Sequence, residues 1–238
     1  MILRFRPLFG FTALMVPMFA LLVGLGFWQL ERLQWKLGLI AEMDKNTHAA
    51  PIPIDRALVM GIASAQYRRV EMFGRFLNDR ESYVFGTGPR GFAVYHVLTP
   101  LVLDDGRIFL VDRGIVPLEL RLPAKRSTGE LNGEQRVFGV LRTPDKPGPF
   151  TPAPDLAKRI WFARDVAGIA AADHVHLASP MIVEADASPN PGGWPRGGQT
   201  VVALPNDHLQ YAITWFLLAA ALVVIYFAYH RARGRLTV

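Results

Sequence analysis

Two uncharged apolar stretches, one near each end, constrain the fold of this chain more than any other feature. They run from Leu8 to Leu30 and from Leu209 to Tyr229. A helix rises about 1.5 Å per residue, so crossing a hydrocarbon core about 30 Å thick takes roughly 20 apolar residues. A cleaved secretory signal has a shorter apolar core and ends in small residues, whereas the first stretch ends in Phe27-Trp28-Gln29. We therefore predict two transmembrane helices.

The basic residues are concentrated just outside these two stretches. The formal net charge is +6, and a chain this basic suggests a nucleic-acid partner if position is ignored. Most of the excess, however, comes from two tails that contain no acid: Arg4, Arg6, Arg231, Arg233 and Arg235. Short basic tails that flank spans stay on the cytoplasmic side of the membrane. We therefore predict that both termini are cytoplasmic and that nucleic acid is not a partner.

The predicted layout is a multi-pass membrane protein with one domain between its spans. A cytoplasmic N-terminus (1–7) and a first transmembrane helix (8–30) precede an extracytoplasmic domain (31–208), which a second transmembrane helix (209–229) and a basic cytoplasmic C-terminus (230–238) follow. The absence of cysteine excludes disulfides and thiolate metal sites. Because no Arg-rich transit segment precedes the first span, we expect a bacterial inner (plasma) membrane and a periplasmic central domain.

The segment between the spans has the pattern of a β domain. Asp104-Asp105-Gly106 is a hairpin signal, and short helices are predicted for Arg56–Ala65 and for Asp165–Ala172, with Asp165 as a cap. Strands are predicted where β-branched and aromatic residues recur between turn formers: Tyr67–Leu77, Ser82–Phe85, Phe92–Leu103, Arg107–Pro117, Gln135–Arg142, Ile160–Ala163, Pro180–Glu184 and Thr200–Ala203. The predicted fold class is membrane α+β: two transmembrane helices flanking one mainly antiparallel β domain, sandwich or barrel-like.

The sequence contains no pattern of an enzyme active site. A nucleophile elbow, a phosphate-binding glycine loop and a metalloprotease helix are all missing, so we predict that the protein is not an enzyme. His174 and His176 would share a strand face, as two metal ligands do. Because no third ligand lies nearby, we expect them to face solvent. His48, His96 and His230 stand alone and are assigned no role.

His208 differs from the other histidines because it directly precedes the second span. Asp207 and Gln210 are spaced like a capping box, which puts His208 on the first helical turn at the outer membrane surface. Tyr211 and Trp215 follow on the same face. The positive end of a helix disfavours imidazolium, so a neutral ring is available to a metal such as haem iron. The alternative is an interfacial polar residue beside a belt of aromatic side chains.

The outer end of the first span carries a matching cluster. Trp28 and Arg32 lie along one helical face where the helix leaves the bilayer, as belt aromatics and snorkelling cations do. Deeper in the span, Ala20 and Gly24 form a small-xxx-small pair, with Ala219–Ala221 at a similar depth in an antiparallel partner. We therefore expect the spans to pack closely and to bring Trp28 and Arg32 near His208.

Five motifs in order along the chain resemble the Surfeit-locus/Shy family of cytochrome c oxidase assembly factors, as a bacterial member. The resemblance covers nearly the whole chain. It rests on these residues: Gly26-Phe27-Trp28-Gln29 with Arg32, Trp35 and Lys36; Tyr67-Arg68-Arg69-Val70 with Gly74 and Phe76; Val111-Asp112-Arg113-Gly114-Ile115-Val116-Pro117; Trp161-Phe162 with Asp165; and Asn206-Asp207-His208-Leu209-Gln210-Tyr211-Ala212-Ile213-Thr214-Trp215-Phe216.

The resemblance implies a role in maturing the catalytic subunit of the haem-copper oxidase, through binding and insertion of haem a. His208 matches the histidine associated with haem in the family, Tyr211 and Trp215 would border the ring, Arg32 or Lys36 would face a propionate, and Trp28 would complete the site. The implied partners are the oxidase catalytic subunit, a haem a synthase and the lipid bilayer. The alternative is a membrane scaffold that stabilises the oxidase subunit without binding a cofactor itself.

The topology gives a first testable prediction. Reporter fusions at the C-terminus and within residues 144–154 should report opposite compartments, because the tail arginines hold both termini in the cytoplasm. Paired alkaline phosphatase and green fluorescent protein fusions measure this directly. The same compartment for both positions would contradict the two-span topology.

Overall fold

The structure is a computed structural model, and it describes residues 4–144, 147–200 and 205–237. The helices are α1 (Phe9–His48), α2 (Ile54–Val59), α3 (Ile62–Ala65), α4 (Val166–Ala172) and α5 (His208–Ala232). The strands are β1 (Arg4–Phe5), β2 (Ile52–Pro53), β3 (Arg69–Phe76), β4 (Ser82–Thr87), β5 (Ala93–Leu103), β6 (Ile108–Pro117), β7 (Glu134–Arg142), β8 (Ile160–Trp161), β9 (Leu177–Ala185) and β10 (Leu236–Thr237). The chain divides into a helical unit, residues 1–42 with 202–238, and a β unit, residues 43–201.

The helical unit is an antiparallel pair formed by α1 and α5. Both helices are long and apolar enough to cross a membrane, as predicted. Their buried and half-buried residues include a series spaced three, four or seven positions apart, as along the seam of a coiled coil. This seam consists of Thr12, Met15, Leu22, Gly26, Gln29 and Leu33 on α1 and of His208, Ala212, Trp215, Ala219, Leu222 and Tyr226 on α5.

Side-chain contacts keep one register along the pair. At one end, the backbone N–H of Leu8 donates to Nε2 of His230 (3.1 Å), and the hydroxyls of Thr12 and Tyr226 are 2.6 Å apart. At the other end, His208 is hydrogen-bonded to Gln29. Residue numbers therefore rise on α1 as they fall on α5 over the whole length of the seam.

The predicted small-xxx-small contact is wrong in its position. Ala20 and Gly24 are exposed, and a Cβ built on Gly24 would meet nothing within 4 Å. Gly26 is the close contact instead, because a Cβ there would lie 2.6 Å from the Phe216 ring. The cause is helical phase: Gly26 precedes Gln29 by three residues and shares its face, whereas Gly24 points away from the seam.

His230, which received no role from the sequence, is fully buried. Its Nδ1–H donates to the carbonyl oxygen of Tyr226 at 2.8 Å, which leaves Nε2 to accept from Leu8. Leu8 directly precedes α1, so this contact satisfies a backbone N–H that the helix itself cannot satisfy. Beside it, β1 pairs with β10. His230 is therefore a structural residue of this end of the pair.

The β unit contains a closed five-stranded barrel in the order β3-β7-β9-β6-β5, with β5 returning to β3. Most pairs are antiparallel, as predicted, whereas β6 and β9 run parallel. Gly74 sits where β3 meets β5, and a Cβ there would lie 2.3 Å from the carbonyl oxygen of Val102. A glycine allows this close approach of two backbones. The barrel encloses a core that includes Val70, Met72, Leu101, Phe109, Leu141 and Met181.

Local predictions for the β unit differ from the structure in three places. The single helix predicted over Arg56–Ala65 is two short helices, which are separated at Gly61 with φ +80°. His174 and His176 do not share a strand face, because both precede β9, but they face solvent as predicted. The strand predicted over Thr200–Ala203 falls outside the described residues except for Thr200, which is not in a strand. Asp165 caps α4 as predicted.

Candidate functional site

The candidate site lies at the start of α5, where His208 meets α1. Nδ1 of His208 lies 2.8 Å from Oε1 of Gln29. An amide oxygen can only accept, so in a neutral ring this contact requires the proton on Nδ1 and leaves the lone pair on Nε2. Within the part of the chain that the structure describes, Nε2 has no hydrogen-bond partner. The arrangement therefore presents a single imidazole nitrogen able to act as a ligand.

The predicted capping box at this helix start is wrong. Asp207 is the N-cap residue of α5, but its side chain makes no capping hydrogen bond. Its φ and ψ are −96° and 6°, away from the extended conformation typical of an N-cap with a side-chain bond. His208 is nevertheless the first residue of α5, as predicted. Its orientation comes from Gln29 on the facing helix and not from a local cap.

Two buried polar atoms close to His208 in sequence have no hydrogen-bond partner among the described residues. They are Oδ1 of Asn206 and Nε1 of Trp215. Trp215 shares the seam face with His208, two turns further along α5. Buried polar atoms are normally paired, so an indole donor and an amide acceptor without partners on the same segment as His208 could be satisfied by a polar ligand.

The other predicted site residues lie on one side of the seam. Arg32 and Tyr211 each follow a seam residue by three positions, Gln29 and His208 respectively, and are rotated the same way around their helices. Because the two helices are antiparallel, residues rotated the same way around their own helix axes lie on the same side of the pair. Trp28, one residue before Gln29, faces the same way. Trp28 and Tyr211 are about half exposed, and Arg32 stacks on Trp35 with 4.7 Å from Cζ to the ring centroid.

Sequence reasoning missed the residue on α1 that contacts His208. In the structure's described ranges, neither Trp28 nor Arg32 has a hydrogen bond or ring contact with His208, whereas Gln29 does. A signal was present: Gln29 and Thr12 are the two polar residues of the first apolar stretch. Polar side chains within a span pair with one another across helices, and both of these residues do so.

The described residues at this site offer one nitrogen that could act as a metal ligand. A protein site for a bare transition metal commonly has three or four side-chain ligands. No group of three histidine or acidic residues that could hold a metal is found among the described residues. Haem iron takes four nitrogens from its own ring and needs one or two from the protein. A histidine whose second ring nitrogen is held by a hydrogen bond is the usual form of such a ligand.

A second polar cluster, in the β unit, is structural in character. Asp112 is buried, and its carboxylate accepts from Nδ1 of His96 (2.9 Å), from the backbone N–H of Gly114 (3.0 Å) and from Arg164 (3.3 Å). Burial alone would raise the pKa of Asp112, but these partners hold the pKa below its ordinary value. His96, which the sequence left without a role, thus pairs with the buried carboxylate of Asp112.

The neighbouring Arg113 points into a separate buried ion cluster. It contacts Glu81 (3.3 Å) and Glu130 (3.8 Å), and Arg126 pairs with both acids. Burial raises the pKa of Glu130, and the negative charge of Glu81 raises it further. Asp112 and Arg113 are therefore paired side chains that stabilise the barrel.

Comparison with known proteins places the chain in a family. A family model described as the SURF1 family matches residues 16–220, a range that contains both Gln29 and His208. The chain belongs to the SURF1 family. It is 38% identical over 233 residues to the Surfeit locus protein 1 of Takifugu rubripes, with 90% of this chain and 94% of that protein covered.

Other relatives match over a similar share of this chain. The Surfeit locus protein 1 of Homo sapiens is 33% identical, with 90% of this chain and 75% of that protein covered. A SURF1-like protein of Drosophila melanogaster is 34% identical, with 92% and 76% covered. The SURF1 similarity therefore extends over both spans and the β unit.

The Asp112 cluster gives a prediction for acid stability. Because the folded pKa of Asp112 lies below its unfolded value, about 3.9, the ionised group stabilises the fold above that pH, and the effect is lost as pH falls through the folded pKa. The free energy of unfolding of residues 43–201 can be measured with urea between pH 5 and pH 3. As the pH is lowered, Asp112 should decrease this free energy by up to about 1.4 kcal/mol per pH unit. Asp112→Asn should flatten the slope, whereas the exposed Asp104→Asn should not. Equal slopes in all three proteins would contradict this account.

Proposed function

We propose that this SURF1-family chain is an assembly factor for the haem-copper cytochrome c oxidase and that it binds haem a through His208. The observation that carries the proposal is the imidazole whose Nδ1 is held by Gln29 at 2.8 Å and whose Nε2 is left to bind a ligand. Membership of the family supports the assembly role. In this role the chain carries haem a and catalyses no reaction.

Each residue of the site has a part in holding the cofactor. Haem would supply an iron that takes an imidazole ligand and a flat ring that carries two propionates. His208 would provide the imidazole nitrogen, and the half-exposed rings of Trp28 and Tyr211 offer apolar surface on one side of the seam. Arg32 is a cation on that side, suited to a carboxylate. Trp215 adds an indole N–H that has no partner among the described residues.

The proposed setting follows from the tails and from the two helices. Both termini would be cytoplasmic, with residues 31–208 on the periplasmic side of a bacterial inner membrane. His208, at the outer end of its span, would then lie at the periplasmic surface of the bilayer. A haem a synthase is the proposed donor of the haem, and the oxidase catalytic subunit is the proposed acceptor.

The function can be tested by complementing a gene-deletion strain that makes haem a. The strain would carry the wild-type chain, His208→Ala or the control His176→Ala, which changes an exposed histidine outside any strand. We expect the deletion to lower the haem a-containing oxidase in membrane spectra. Wild type and His176→Ala should restore the oxidase and co-purify with haem, whereas His208→Ala should insert normally and lose or spectrally shift its haem.

Each readout tests a different part of the proposal. An unchanged oxidase spectrum in the deletion strain would contradict the assembly role. Full haem content in His208→Ala would leave the scaffold function as the surviving alternative. His230→Ala is unsuitable as a control, because His230 is fully buried and holds the backbone of Leu8.

A further inference from the structure

We propose that Gln29 is a positioning residue for the haem ligand: it fixes the tautomer and the orientation of His208 so that Nε2 faces the iron. This inference rests on the proposed function, in which His208 binds haem iron. Its basis is the hydrogen bond of 2.8 Å from Nδ1 of His208 to Oε1 of Gln29. Gln29 is 9% exposed, so little water competes for this oxygen.

The local packing brings these two side chains together. Gly26 is the seam residue one turn from Gln29 on α1. Ala212, which is 1% exposed, is the seam residue one turn from His208 on α5. The ring of Phe216 fills the space over Gly26. With a glycine and an alanine at these two positions, no long seam side chain stands next to the amide and the ring, which reach each other directly.

The hydrogen bond decides which nitrogen can bind metal. A neutral imidazole carries one proton, and the nitrogen without the proton is the ligand. An acceptor at Nδ1 keeps the proton there and leaves the lone pair on Nε2. Without that acceptor, the ring is free to turn and to adopt the other tautomer, in which Nε2 is protonated and does not bind iron.

A purely structural role for Gln29 makes a different prediction. Thr12 and Tyr226 form a second hydrogen bond across the same pair, at 2.6 Å and far from His208. If Gln29 only holds the helices together, losing either bond should have the same effect on haem. If Gln29 positions His208, only the Gln29 bond should matter. Thr12→Val is therefore a matched control that removes one interhelical bond at nearly constant shape.

The test titrates haem a into the purified full-length chain in detergent micelles. Gln29→Leu should weaken binding about 10- to 100-fold, the usual effect of losing a hydrogen bond to a metal-ligating histidine. Gln29→Glu keeps an acceptor, so its affinity should stay within about threefold of wild type. A carboxylate at position 29 makes the imidazole a more strongly electron-donating ligand. The Glu variant should therefore also have a lower iron reduction potential. Thr12→Val should match wild type in affinity and potential.

The outcomes separate this inference from the proposed function. Wild-type binding by Gln29→Leu, with binding lost in His208→Ala, would overturn the role of Gln29 and leave the function intact. Equal losses in Gln29→Leu, Gln29→Glu and Thr12→Val would reduce Gln29 to a structural contact. Unchanged binding by His208→Ala would overturn the function and the inference together. If Gln29→Leu fails to fold, the Glu variant decides, because an unchanged potential would contradict positioning.

Discussion

Polar groups between the two long helices form hydrogen bonds with one another across the seam, and the candidate site depends on this constraint. A polar side chain in an apolar span is costly unless it finds a partner within the protein. Gln29 bonds His208, Thr12 bonds Tyr226, and His230 accepts the backbone N–H of Leu8. These contacts fix one register from end to end. Because the register is fixed, the imidazole at the start of α5 has a defined partner, and one of its nitrogens remains available to a ligand.

The β unit solves the corresponding problem by closing its sheet and burying its charges in pairs. The return of β5 to β3 at Gly74 pairs backbone groups of these two strands that would otherwise lack a partner. Asp112 and Arg113, neighbours in β6, enter two separate clusters with His96 and Glu81 respectively. Losing one partner of such a buried pair leaves the other charge uncompensated, which is strongly destabilising. The β unit is thus a closed barrel with paired buried charges, between the two spans in sequence.

Much of this fold could be predicted from the sequence, because local hydrophobic patterns determine it. The two apolar stretches, the alternating strands and the capped helix α4 all follow from spacing. The partners of His208, His96 and His230 could not be predicted in the same way. These partners depend on which residues of distant segments lie opposite one another in the fold. Gln29 and His208, for example, are 179 positions apart. The contact assigned to Gly24 failed because two residues of helical phase decide whether a glycine faces the seam or points away from it.

Measuring which ring nitrogen of His208 carries the proton tests most directly whether Gln29 presents this ligand. Solution or solid-state ¹⁵N NMR of the full chain, labelled at histidine and held at a pH where the ring is neutral, distinguishes the two tautomers. The His208 signal is identified by its loss in His208→Ala. The account predicts a proton on Nδ1 and a bare Nε2, because the Gln29 oxygen at 2.8 Å can only accept. A proton on Nε2 would contradict it, since that nitrogen could then neither be presented by Gln29 nor bind iron.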